Sequence, residues 1–281
     1  TTLISCQRDF FNESSVEEGV MEFVVDSEDQ IGTKAISDGT TVDILYYAVY
    51  KNGEELTDLR PEEPVQRGED GRFVFKIKLV KGLSYKVVFW AQSSKCTAYD
   101  LTDFEALTIS YEGVANDETR DAFFAAETFT VSRNAEIDVT LKRPFAQLNI
   151  GTNDFEASTS AGYTVTQSSV KVPVYTTLNF KDGNVGGQEV RTFDWADFNR
   201  AETFPVTGYE YLAMNYLLVP ASKETIEVEF GYNNAEGNGE EVRKVGAVPV
   251  QRNHRTNIYG NLMTSTIDIH VEINPEYDEP A

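Results

Sequence analysis

The sequence predicts an all-β protein built from two antiparallel β-sandwich domains in tandem. Three observations carry that prediction. Apolar and polar residues alternate with a period of two along most of the chain, turn dipeptides punctuate the alternating runs, and no long stretch repeats its apolar residues at helical spacing.

The elements follow in order. Residues 20–25 are rich in β-formers and read as a first strand. Residues 42–50 (VDILYYAVY) and 85–91 (YKVVFWA) are apolar on both faces, as central strands of a sandwich are. Between them Phe73, Phe75, Ile77 and Leu79 share one face, with Lys76 and Lys78 on the other. Ile137, Val139 and Leu141 then alternate with Asp138, Thr140 and Lys142, and Ala146, Leu148 and Ile150 open a new alternation. Residues 212–219 are again apolar throughout and stop at Pro220, while Ile226, Val228 and Phe230 alternate with Glu227 and Glu229. The cleanest pattern comes last: Ile267, Ile269, Val271 and Ile273 against Asp268, His270, Glu272 and Asn274. Two-faced strands of this kind suit antiparallel sheets with one wet side. Asn52-Gly53, Asp70-Gly71, Lys81-Gly82, Asp182-Gly183 and the glycines at 237 and 239 supply the turns. Helical segments are expected at 116–126 and, shorter, at 193–200.

A chain of 281 residues is long enough for two domains with cores of their own. Pro144 cannot continue a central ladder, so the boundary is expected at Lys142–Arg143. The expected division is a tether at 1–18, a first domain at 19–142 and a second at 143–281. Val139 and Leu141 should point into the first core, Leu148 and Ile150 into the second. No internal repeat is visible in the residues.

Composition narrows the function classes. Lys and Arg number 24 against 46 Asp and Glu, a formal charge of −22. Nucleic-acid surfaces carry a basic stripe, so that partner class is excluded. The two cysteines, Cys6 and Cys96, are too few for a disulfide framework; one bridge is allowed but not implied. No apolar run approaches the roughly 18–20 residues of a membrane-spanning helix. Leu3-Ile4-Ser5-Cys6 fits the bacterial lipobox, in which a small residue precedes a cysteine that takes the lipid. On that reading Cys6 is the lipidation site, residues 1–5 end a secretory signal, and residues 7–18 tether the lipid to the first strand. A buried or incidental cysteine is the plain alternative.

Groups with catalytic chemistry are sparse. His254 lies in a turn-like stretch and His270 on the polar face of a strand, with no nucleophile elbow nearby in sequence. Zinc-type ligand spacings and phosphate-cradling glycine motifs are absent from the sequence. The acidic pairs Glu17-Glu18, Glu54-Glu55, Glu62-Glu63 and Glu240-Glu241 sit beside turns or the tether, where solvated decoration explains them. Asp182, Asn184, Gln188 and Glu189 could ligate calcium, and a hairpin turn explains the same residues. Trp195, with Phe193 and Phe198, could form a sugar platform, and packing against a sheet explains them as well. The expectation is a protein that is not an enzyme, with no catalytic residue, cofactor or metal.

Two segments point further. LKRPFAQLNIGTND (141–154) and NHRTNIYGNL (253–262) resemble segments of the fimbrillin-like lipoproteins of Bacteroidales. YEGVANDETRDAFFA (111–125) looks like that family's approach to its domain crossing, and VPVQRNHRTNIYGNLMT (248–264) like its closing strands, with Gly260 marking a bulge or a close backbone approach. The resemblance implies transthyretin- or immunoglobulin-like sandwiches, export as an outer-membrane lipoprotein, and a fimbrial or adhesive role. Its partners would be other fimbrial subunits and a host protein or glycan. It also implies assembly by strand exchange after an arginine- or lysine-specific protease removes the first strand. Lys34 is the sole basic residue of the polar segment 27–40 and is the expected cut, unless residues 20–25 are a permanent strand. A tip or anchor role fits equally, and a surface glycan-binding lipoprotein is the rival reading.

Overall fold

The computed structural model describes residues 16–27, 39–111, 116–195, 203–233, 241–265 and 268–274. Its strands begin with β1 (Glu18–Ser27), β2 (Ile44–Lys51), β3 (Glu54–Glu55), β4 (Val65–Gln66), β5 (Phe73–Val80), β6 (Ser84–Gln92), β7 (Tyr99–Asp100), β8 (Leu107–Ile109), β9 (Ala122–Thr130) and β10 (Ala135–Leu141). They continue with β11 (Phe145–Thr152), β12 (Gln167–Val174), β13 (Thr177–Leu178), β14 (Val185–Gly186), β15 (Glu189–Trp195), β16 (Glu210–Leu218), β17 (Glu224–Asn233), β18 (Glu241–Val250), β19 (Arg255–Gly260) and β20 (Ile269–Asn274). The all-β class is as expected, and the sheets pack as sandwiches.

The topology is duplicated. One half stacks a sheet of order β10-β1-β5 on one of order β3-β2-β6-β9, and the other stacks β16-β11-β19-β20 on β15-β12-β17-β18. In each half the first strand lies centrally, antiparallel to one neighbour and parallel to the other. Those pairs are β1 with β5 and β10, and β11 with β16 and β19. The two parallel pairs depart from the purely antiparallel expectation. They arise because a late strand of each half, β10 or β19, returns beside the first in the same direction. A small sheet, β14-β13-β8-β7, joins residues of both halves.

Two apolar clusters account for the burial. One is drawn entirely from residues 21–141 and takes Met21, Phe23, Val25, Leu45, Val49, Val87, Phe89, Val139 and Leu141. The other takes Leu148, Ile150 and the remaining apolar residues of the later strands, together with Ala48, Tyr50, Val88 and Trp90. The sheet containing β2 and β6 is therefore buried on both faces, which is why those two strands read as apolar on both sides. Trp90 anchors the second face: its ring stacks on Phe180 at 5.2 Å and meets Tyr99 edge-on at 5.0 Å.

The described turns behave as their dipeptides demand, and the glycines at 237 and 239 lie outside the described residues. Asn52 and Gly53 have φ of 52° and 87°, the two positive values a tight hairpin needs between β2 and β3. Gly260 is a site of close approach: a Cβ there would lie 1.8 Å from the Asp268 carbonyl oxygen.

Three local expectations are corrected. Residues 116–126 hold a single 3-10 turn, Glu118–Arg120, and then enter β9. Tertiary pairing overrides the helical look of the Ala/Phe run, because Ala122 and Phe123 are buried where β9 pairs with β6. Residues 193–195 belong to β15, and 196–200 fall outside the described residues. A short helix, α1 (Phe155–Ser160), stands where none was anticipated, with Phe155 buried beneath it. Among the described residues no helix is long and apolar enough to cross a membrane.

Candidate functional site

The feature most able to do something is the slot that β1 fills. Its alternate residues Met21, Phe23 and Val25 are 2%, 0% and 0% exposed, so one face of the strand is wholly inside the core. Phe23 stacks on Phe75 at 5.2 Å and packs tilted or edge-on against Phe89 at 5.6 Å and Phe129 at 5.7 Å. Both strand edges are engaged over most of the length, residues 18–25 against β5 and 21–27 against β10. The outward face is half-buried and mixed, with Val20 and Val24 between Glu18, Glu22 and Asp26, and Glu22 lies 3.1 Å from Lys76.

The start of the strand is pinned by side chains and tight packing. Val20 N–H donates to Asn134 Oδ1 at 2.9 Å, and Lys81 N–H to Glu17 O at 2.8 Å. Lys81 also forms an ion pair with the Glu17 carboxylate. Gly19 is needed there, since a Cβ would meet Val131 Cγ1 at 2.9 Å. Without β1 the slot would be an apolar groove flanked by two unpaired strand edges. Such a groove binds an incoming strand through main-chain hydrogen bonds and alternate side-chain pockets.

The sequence-derived sites fall as follows. Cys6 and Lys34 lie outside the described residues. Cys96 is a free, buried thiol in the loop after β6, and burial pushes its pKa up. His254 is buried with Nδ1 2.6 Å from Arg252 O; His270 is exposed, 3.0 Å from Asp268 Oδ1 and stacked on Tyr259. The two imidazoles thus serve separate local contacts. Asp182 accepts hydrogen bonds from the Asn184 amide and Nδ2, both at 2.9 Å, and Glu189 accepts one from Arg191. The first are turn contacts within the β13–β14 hairpin, and the last lies along β15. No group of three or more potential metal-ligating side chains gathers among the described residues. Of the acidic pairs, Glu55 is more than decoration: both its oxygens receive Arg60, at 2.7 and 2.8 Å. Phe193 is buried, 5.8 Å from Tyr111, whereas the Trp195 side chain and Phe198 are outside the described residues.

Sequence reasoning missed the buried polar groups at the crossing. Asp121 and Arg143 pair there, and Gln147, Asn149 and Asn257 form a hydrogen-bonded row across β11 and β19. In sequence, Gln147 and Asn149 look like the solvated side of a two-faced strand, and nothing local says otherwise.

Paired sandwiches define the fold, and solved structures share it. A candidate polysaccharide-binding protein of Bacteroides thetaiotaomicron superposes with a TM-score of 0.59 at 11% identity, over 91% of this chain and 97% of its own. A fimbrial assembly protein of Parabacteroides distasonis gives 0.53 at 14%, over 94% and 98%. A candidate adhesin of Bacteroides ovatus gives 0.52 at 14%, over 91% and 92%. At these identities the likeness is one of fold. By sequence, the chain belongs to the family of unknown function DUF6562, whose model matches residues 13–281. No curated protein sequence matches it. What the solved structures share with this chain is its architecture.

Proposed function

We propose that this protein is a cell-surface adhesion or fibre subunit whose first strand is the assembly element. The observation that carries the reading is the position of β1: an N-terminal strand, central in its sheet, with a fully buried face and a neighbour on each side. Cleavage after Lys34 frees the strand, and a donor strand from another subunit takes its place between β5 and β10. Cys6 carries the lipid that holds the subunit at the outer membrane. The names of the fold neighbours, a fimbrial assembly protein and an adhesin among them, support the surface role.

Limited trypsin digestion of the purified chain, followed by mass analysis and light scattering, tests the exchange. A cut after Lys34 accompanied by growth into oligomers is the expected result. If neither occurs, exchange through this end is abandoned in favour of a tip or anchor role. For the anchor, Cys6→Ala in the full-length precursor should abolish palmitate labelling and release the protein from the membrane fraction.

The second reading, a glycan-binding surface protein, draws on the polysaccharide-binding description of one fold neighbour. Selective binding of the intact monomer on a glycan array would favour it, and a blank array would remove it.

A further inference from the structure

We infer that the β10-β1-β5 sheet carries two mutually complementary edges, and that a second copy of this chain docks its β5 onto β10. The surface is separate from the slot of β1, and the intact chain suffices for it.

The second half of the molecule shows what the β10 edge lacks. There the strand equivalent to β10 is β19, and its outer side is taken by β20. Along β10 itself no described strand is hydrogen-bonded on the outer side; just past its end Lys142 bridges Phe124 of β9 there. The opposite edge, β5, is open in the same way among the described residues. The β18 edge, by contrast, carries features that discourage pairing. β18 holds Pro249, a positive φ of 54° at Ala247, and a register shift against β17. β5 and β10 contain no proline, and their registers with β1 run without a break.

The two edges differ in charge. On the outer face of β5 stand Val74, Lys76 and Lys78, all exposed, Val74 at 47%. On the outer face of β10 stand Glu136, Asp138 and Thr140, also exposed. Lys78, Glu136 and Asp138 make no ion pair among the described residues. A lysine edge repels its own kind and attracts an acidic one, so the contact is head-to-tail rather than two-fold.

Direction and register agree with this pairing. β5 runs antiparallel to β1 and β10 parallel to it, so a copy displaced sideways along the sheet presents β5 antiparallel to the neighbour's β10. Backbone groups alternate in direction along a strand. The Lys81 amide faces β1, which turns the even-numbered residues of β5 outward. The Val20 amide faces Asn134 at the start of β10, which by the same alternation turns Glu136, Asp138 and Thr140 outward. One register then places Lys76 opposite Asp138 and Lys78 opposite Glu136. The same register aligns Phe75 with Val139 and Ile77 with Ile137 on the apolar side. It uses β10 from Ala135 to Val139 and stops short of the place where Lys142 bridges Phe124 of β9.

The test uses sedimentation of the intact, uncleaved chain and two charge-reversed variants, K76E/K78E and E136K/D138K, each checked for folding by circular dichroism. The single variant K78E, at a lysine with no ion pair among the described residues, guards against loss of fold. The parent should self-associate with concentration, less so at high salt. Each reversal should weaken association about tenfold or more. An equimolar mixture of the two double variants should recover it, because each then offers the edge the other lacks. A parent that stays monomeric, variants that associate like the parent, or a mixture that fails to recover would each overturn the inference. Growth after tryptic cleavage in a parent that was monomeric beforehand would support exchange of β1 and reject edge docking.

Discussion

Arg143 and Asp121 form a two-pronged ion pair in the interior, with Nε 2.6 Å from Oδ1 and one terminal nitrogen 2.8 Å from Oδ2. Each side chain is 1% exposed, and the guanidinium also lies 4.5 Å over the Phe123 ring. Arg143 occupies the three-residue crossing between β10 and β11, and Asp121 the entry to β9. The pair therefore ties the start of one strand to the link between the halves.

Breaking that pair from one side should be costly, since it strands a buried charge. Arg143→Met or Asp121→Asn is expected to lower the unfolding free energy by about 3–5 kcal/mol. The double replacement Arg143→Met with Asp121→Leu should cost less than either single change. Urea denaturation of the three variants measures this. Equal, additive losses would mean the residues act independently.

Phe23 tests the anchoring of β1. It is fully buried among three aromatic rings, so Phe23→Ala should lose about 3–5 kcal/mol. Val24→Thr, on the half-buried outer face of the same strand, should change stability by about 0.5 kcal/mol or less. Comparable losses at both positions would contradict the burial pattern of the strand.

Gly260 tests a backbone contact. An alanine methyl would fall within bonding range of the Asp268 carbonyl, so β19 and the residues leading into β20 must separate. Gly260→Ala should cost about 1–3 kcal/mol, read as a lowered melting temperature. An unchanged melting temperature would show that this segment yields freely.

Alkaline pH should destabilise the fold. Burial, followed by the Glu55 and Glu105 carboxylates, pushes Tyr50 up to about 12, and burial raises Tyr99 and Tyr111 as well. Groups whose folded pKa exceeds the unfolded value contribute full stability below the unfolded value, near 10 for tyrosine. That contribution is lost as pH rises through the folded values. Arg252, held down to about 10 by burial, acts in the opposite sense but is one group against three. Unfolding free energy should therefore fall between about pH 10 and 12. Absorbance at the tyrosinate band should show late-titrating tyrosines that ionise with unfolding; ordinary titration of all tyrosines near pH 10 would refute this.

The sequence by itself determined the all-β class and the faces of most strands. Phe73, Phe75, Ile77 and Leu79, or Val139 and Leu141, alternate because a strand sends successive side chains to opposite sides, and that rule is local. Asn52-Gly53 foretold its hairpin for the same reason. Tertiary structure alone decided the rest. The Ala/Phe run at 122–126 became strand β9 because β6 offered it an edge, and Gln147 and Asn149 were buried because hydrogen-bonding partners across β19 met them there. The duplicated topology, the central place of β1 and the pairing of Asp121 with Arg143 all join residues far apart in the chain. Such contacts depend on how the sheets stack and which strands return beside which, and no spacing within a single strand encodes that choice.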